Sequence, residues 1–190
     1  MAAPKHRVGY NSGMTNGSSR PSLGDVQLHD VEASDLPTLY RYQLDPDANR
    51  MAAVKPRSLE AFNALWAKAF TDGTTFARAI LWDGILVGHI ACFRKDGQDS
   101  VGYWIGKEYW GKGIASRALA LLLEQVPTRP LHAQVARHNT ASLRVLTRCG
   151  CTVTHYQFSP ADERYLECEE AFLILAQLVW SYPKSAAMLH

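Results

Sequence analysis

The most constraining feature of the chain is residues 101–119, VGYWIGKEYWGKGIASRAL, where an apolar aromatic run meets a glycine turn and then an alanine- and leucine-rich segment. The pattern predicts a strand, a tight turn over Trp110-Gly111-Lys112-Gly113-Ile114-Ala115, and a helix. Gly111 and Gly113 let the backbone approach a ligand without Cβ interference. The first turn of the helix presents unpaired N–H groups and the positive end of its dipole. Together these make an anion site, for which a pyrophosphate is a natural occupant. The glycines lack the spacing of GxGxxG, and the turn lacks the GK[ST] ending of a P-loop. On the residues alone, a turn that merely packs a helix against a sheet remains the alternative.

A chain of 190 residues is long enough for one domain with a substantial core and too short for two full ones. Net charge is only +2, with Lys and Arg scattered rather than striped, so no nucleic-acid surface is indicated. Cys92, Cys149, Cys151 and Cys168 form no CxxC pair, and Cys149-Gly150-Cys151 has no second cluster to complete a zinc site. Such sparse cysteines fit a reducing compartment and small core positions, and no metal is expected. The longest apolar run, around Ala171–Trp180, is too short to cross a bilayer, and no apolar secretory segment opens the chain. The expectation is a cytoplasmic protein that binds no membrane.

Residues 1–24, rich in Gly, Ser, Asn and Pro, read as a mobile tail. A strand at Val26–Val31 follows, then a helix from an N-cap at Ser34 to about Tyr42 with Pro37 in its first turn. Asp45-Pro46-Asp47 reads as a loop. Ser58 caps a second helix carrying Leu59, Phe62, Leu65, Trp66 and Phe70. Strands at about Thr75–Trp82 and Ile85–Phe93 are joined by the hairpin signal Asp83-Gly84. Lys95-Asp96-Gly97 turns into a strand at Ser100–Ile105. A helix from Lys112 to Val126 places Ala115, Leu119, Leu122 and Val126 on one face, with Pro127 and Pro130 beyond its end. Leu131–Val135 is a strand, Thr140–Arg148 a helix closed by Gly150, and Thr152–Phe158 with about Glu170–Leu178 a final strand pair.

The resulting order is β-α-α-β-β-β-α-β-α-β-β. With the glycine turn after the fourth strand and His138-Asn139-Thr140-Ala141-Ser142 after the fifth, it resembles the GNAT superfamily of N-acetyltransferases. Gly102-Tyr103-Trp104-Ile105, Tyr109-Trp110-Gly111-Lys112-Gly113 and Asn139 with Ser142 three residues on resemble the branch that acetylates ribosomal-protein N-termini. The resemblance spans about residues 25–178. It implies an α/β (α+β) fold: a mixed, mostly antiparallel twisted sheet of about seven strands, helices on both faces and a splayed cofactor cleft. The domain would occupy residues 25–180, with a C-terminal tail at 181–190.

The resemblance implies acetyl-CoA, held between the fourth and fifth strands. Backbone N–H groups of Gly111, Lys112, Gly113, Ile114 and Ala115 would cradle its pyrophosphate, with the Lys112 charge beside it. Arg117, one turn on, reaches a phosphate or faces water. Trp104 and Ile105 lie where the fourth strand pairs with the pantetheine amides. Tyr103 and Trp104 point to opposite sides, one into the core and the other into the cleft. Asn139 matches the family asparagine that bonds the cofactor arm, although an Asn there is also a good helix cap. Ser142 matches the acid that protonates the departing thiolate.

Three departures stand out. Trp110 replaces the usual Gln or Arg, and Cys151 replaces the usual Phe. More seriously, Ser100 stands where many relatives carry a Glu base. Asp99 is one residue away, which turns its side chain to the other face. His89 on the third strand is a candidate base, because histidine titrates in the useful range, and equally a hydrogen-bonded strand residue. His138 is a further candidate or an exposed loop residue. An N-terminal α-amine, with a pKa of about 8 against about 10.4 for lysine, needs the weaker base. The expected activity is direct acetyl transfer from acetyl-CoA to a primary amine, with a protein N-terminus as the expected acceptor. The alternatives are a small-amine acetyltransferase (polyamine, amino acid or antibiotic) and a non-catalytic acyl-CoA-binding domain.

Overall fold

A computed structural model describes residues 24–176. Residues 1–23 of the tail read at 1–24, the tail read at 181–190, and the expected end of the last strand beyond Ala176 lie outside the described residues. Seven strands form one sheet: β1 (Val26–Asp30), β2 (Phe76–Trp82), β3 (Ile85–Lys95), β4 (Gln98–Ile105), β5 (Leu131–Ala136), β6 (Thr152–Ser159) and β7 (Cys168–Leu175). Their spatial order is β1-β2-β3-β4-β5-β7-β6, and every neighbouring pair is antiparallel except β4 with β5. The tight turns at Asp83-Gly84 and Asp96-Gly97 put Asp then Gly at positive φ, as two-residue hairpins require.

Among the described residues five α-helices cover the two faces: α1 (Leu36–Gln43), α2 (Pro46–Ala52), α3 (Leu59–Thr71), α4 (Ile114–Gln125) and α5 (Thr140–Arg148). Alternation along the strands sorts the side chains. Ile90, Cys92, Val101, Ile105, Ala133 and Leu173 join Ile114, Leu119, Leu122 and Leu146 of α4 and α5 in the larger core. On the other face Leu39 and Tyr42 of α1 pack with Phe62 and Trp66 of α3, against Ala77, Leu86 and Trp104. No helix among the described residues is long and apolar enough to cross a membrane.

Two local readings change. Asp45-Pro46-Asp47 is not a loop but the start of α2: the Asp45 carboxylate accepts from Ala48 N at 2.8 Å, and Pro46 takes the first helical position. The helix has only seven residues, too few for a periodic signature. Near Ser34, residues Ala33–Asp35 form a 3-10 turn whose capping box uses Glu32 and Asp35, and α1 proper starts at Leu36.

Candidate functional site

β4 and β5 touch at one pair, Ser100 with His132, and then part. Beyond that point β4 is paired only with β3, and its other edge opens into a wedge. Gly106 N donates to Val87 O at 2.9 Å, and the Trp104 carbonyl lies hard against Gly88. By the alternation of a strand, the backbone of Trp104 therefore serves β3, and the backbones of Tyr103 and Ile105 face the wedge. The Ile105 carbonyl is taken by the Trp110 indole at 2.9 Å. The backbone groups offered to a ligand are those of Tyr103 and the Ile105 N–H, whereas the Trp104 indole donates to the Tyr42 carbonyl at 3.0 Å.

Gly111 and Gly113 lie at φ 75° and 72°, and nothing comes within 4 Å of where a Cβ would stand at either. α4 begins at Ile114, two residues later than its apolar pattern predicts, because Gly113 occupies the N-cap in the left-handed region. Gly113 has no side chain to cap this helix, and among the described residues none replaces it, which leaves the first N–H groups open. α5 is the contrast: Asn139 caps it, with Oδ1 accepting from Ser142 N at 3.1 Å. That leaves the Asn139 NH2 group to donate.

These elements enclose a groove of ≈ 400 Å³ bounded by Tyr103, Trp104 and Ile105, the turn from Tyr109 to Ser116 apart from Lys112, α2, and the Ala141, Arg144, Val145 and Arg148 face of α5. A second cavity of ≈ 200 Å³ lies across the wedge, walled by Phe93, Ser100, Gly102, Gln134, Tyr165 and Glu170 among others. The two share Ala52, Tyr103, Asn139 and Ser142. At that junction the Tyr103 and Ser142 hydroxyls are 2.7 Å apart. Burial pushes the Tyr103 phenol up to about 12, so it stays protonated over the working range of most enzymes.

The structure brings together Trp104, Ile105, Gly111, Gly113, Ile114, Ala115, Asn139 and Ser142 around one groove. It sets Lys112 and His89 apart. The Lys112 ammonium sits 4.6 Å over the Trp82 ring and 5.3 Å from that of Tyr109, behind the turn. Arg117 donates to the carbonyls of Lys112 and Gly24. His138 Nε2 lies 3.0 Å from the Arg50 carbonyl, tying α2 to the loop before α5. Asp99 is paired with Arg94 at 3.3 Å.

His89 bounds neither cavity; it meets Trp66 edge-on at 5.3 Å between ring centroids, and among the described residues its shielded Nδ1 has no partner. Burial, reinforced by the Arg57 charge, lowers its pKa from 6.5 to about 4. The ring is neutral at pH 7 and a weak base. Because the unfolded chain binds this proton first, stability falls as pH drops through 6.5 and the loss is complete below about 4. The full loss is about 3 kcal/mol. Urea titrations of wild type and His89→Gln between pH 7 and 4 check this: the gap between them narrows as pH falls.

Sequence reasoning missed three features. Arg144 and Arg148 lie four apart on one predicted helix face, a signal that was present. Glu170, the one carboxylate lining either cavity among the described residues, lies far along the chain from the motifs, and it accepts from Ser159 Oγ at 2.5 Å. The Tyr103–Ser142 bond joins residues 39 apart, which no local pattern reveals.

No curated protein matches the sequence. Among solved structures, RimJ of Mycobacterium smegmatis, in complex with CoA-disulfide, superposes with a TM-score of 0.66 at 22% identity, covering 86% of each chain. Spermidine N-acetyltransferase of Vibrio cholerae, in complex with CoA and spermine, gives 0.68 at 16% identity over 80% of this chain and 95% of that one. RimL, a ribosomal L7/L12 alpha-N-protein acetyltransferase in complex with coenzyme A, gives 0.66 at 16% over 80% and 94%. At these identities the likeness establishes the fold. Residues 25–152 match the family described as the acetyltransferase (GNAT) domain, and the chain belongs to that family.

Proposed function

We propose that the protein is an N-acetyltransferase that moves an acetyl group directly from acetyl-CoA to a primary amine, with a protein N-terminal α-amine as acceptor. The observation that carries this reading is the 2.7 Å Tyr103–Ser142 bond where the two cavities meet. Acetyl-CoA fits the groove's chemistry: open N–H groups for a pyrophosphate, a free strand edge for amides, and room beside both glycines. When bound it supplies an activated acyl thioester.

The chain's own residues divide the remaining work. The N–H groups from Gly111 to Ala115 hold phosphate oxygens, Lys112 adds positive charge from behind the turn, and Arg144 and Arg148 offer guanidinium groups from α5. Tyr103 and Ile105 pair with the cofactor arm through their backbone, and Asn139 donates its NH2 group. Ser142 gives its proton to the departing thiolate, while the Tyr103 hydroxyl holds the serine oxygen. Glu170 takes up the proton that the amine must lose, directly or through water, in the role the sequence reading tried on His89.

Direct transfer is favoured over an acyl-cysteine route. Burial raises the thiols of Cys92 and Cys151 to about 11, raises Cys149 as well, and none of the three bounds either cavity. A single wall carboxylate also suits one ammonium group better than a polyamine. RimJ, RimL and the spermidine enzyme share the fold equally, so the fold itself selects no acceptor.

Thiol release from acetyl-CoA with N-terminal peptides, polyamines and aminoglycosides tests the proposal. Turnover on peptides is expected; turnover on polyamines alone contradicts the acceptor assignment, and no turnover despite bound acetyl-CoA leaves a binding domain. Gly113→Ala forces a side chain into the left-handed region, about 1 kcal/mol, and puts a methyl in the phosphate cradle. Its acetyl-CoA affinity should fall about tenfold by calorimetry.

A further inference from the structure

The larger groove carries more positive charge than a pyrophosphate calls for. Among the described residues that bound it, the only charged side chains are Arg144 and Arg148, both exposed on α5. Four residues apart, they are neighbours on one face of the helix. Neither forms an ion pair with a carboxylate among the described residues. Two like charges held side by side repel each other, an arrangement that an anion between them relieves.

The course of α5 says which anion. Its first turn stands at the junction of the two cavities, where the Ser142 and Tyr103 hydroxyls are 2.7 Å apart. Its far end abuts the start of α4: the Cys149 thiol donates to the carbonyl of Ser116, in the first turn of that helix, at 3.6 Å. Arg148 therefore lies about 9 Å along the axis beyond Ser142, at the end of the groove where the open N–H groups of α4 are, with Arg144 between. A donor whose thioester meets Ser142 lays its phosphates beside these two guanidinium groups. The pyrophosphate is matched by the N–H groups from Gly111 to Ala115 and by the helix dipole. Coenzyme A has one phosphate more, a monoester on the 3′ oxygen of its ribose, which carries a charge of about −1.5 to −2 at pH 7. Two planar forks of N–H donors match such a group in charge and in shape.

We infer that Arg144 and Arg148 form a phosphomonoester subsite that holds the ribose 3′-phosphate of the donor, so that the protein selects acetyl-CoA over acetyl-3′-dephospho-CoA. The inference rests on the acetyltransferase reading and adds a specificity for the donor. Both guanidinium groups are exposed, so water and salt screen them, and the selection is about tenfold rather than thousands-fold.

The test is a set of calorimetric titrations with acetyl-CoA and acetyl-3′-dephospho-CoA. The proteins are wild type, Arg144→Gln, Arg148→Gln, the double glutamine variant and the double lysine variant. Wild type should bind acetyl-CoA about tenfold more tightly than the dephospho form. Each single glutamine variant should reduce that ratio to about threefold, and the double variant to below about twofold. The double lysine variant keeps the charge and should keep part of the preference. In every variant the affinity for the dephospho form should stay within about twofold of wild type, which also reports that the variant is folded. A ratio near one in wild type, or one undiminished in the double glutamine variant, overturns the inference. Equal weakening of both donors overturns it as well, because the arginines then serve the pyrophosphate. If wild type binds neither donor, the functional reading fails and this inference with it; tight binding of both with a flat ratio sinks the 3′-phosphate subsite alone. The wild-type ratio and the single variants decide the matter even if a double variant does not fold.

Discussion

Ser142→Ala is expected to lower kcat by about 10²-fold while acetyl-CoA affinity changes far less. The serine hydroxyl lies where the two cavities meet, and the loss falls on the chemical step. Tyr103→Phe should cost about tenfold, because Ser142 keeps its proton and loses only the hydroxyl that holds its oxygen. The two substitutions act on one device, so the double variant should be little worse than Ser142→Ala alone. Single-turnover rates of all three, with thiol release as readout, check the pattern. A Ser142→Ala enzyme with wild-type kcat contradicts the acid assignment.

Gly88→Ala is expected to have the largest structural effect of any single methyl addition on the sheet. A Cβ at this position of β3 would fall on the Trp104 carbonyl oxygen and come within 3.0 Å of Ile105 Cα and the Trp104 carbonyl carbon. All three are backbone atoms, which cannot rotate aside. Relief requires β3 and β4 to separate at the residues whose other edge faces the groove. The cost is about 1–3 kcal/mol, the range for overpacking, and acetyl-CoA affinity should fall with it. Gly73→Ala is the control, since nothing lies within 4 Å of its added methyl and its φ is ordinary. Denaturant midpoints and acetyl-CoA titrations of the two variants should separate cleanly; equal behaviour contradicts the close approach at Gly88.

The parts of the fold legible in the sequence were those encoded by short-range chemistry. Asp83-Gly84 and Lys95-Asp96-Gly97 mark their hairpins, and Ser58 and Asn139 mark helix starts, whereas the apolar pattern puts the start of α4 two residues early, at Lys112. α2 was missed because its signal is a cap and a proline with almost no apolar period behind it. The open glycine turn was legible for the same reason, since it is built from consecutive residues. The second cavity was not. Glu170 reaches its wall only because β7 pairs with β5, and Tyr165 only because the segment after α2 bridges the β6–β7 connection. Backbone orientation was equally hidden: whether Trp104 or its neighbours face the wedge depends on register with β3, and alternation in one strand cannot supply that. His89 looked like a base because its residue type titrates usefully; burial beside Trp66 removes that property.

The most direct test of the central claim is a calorimetric titration of acetyl-CoA into the wild-type protein, paired with Gly113→Ala. The account predicts saturable one-to-one binding that weakens about tenfold when the phosphate cradle gains a methyl. Absence of binding to wild type, or binding indifferent to Gly113→Ala, contradicts the assignment of the wedge and its glycine turn as the acetyl-donor site.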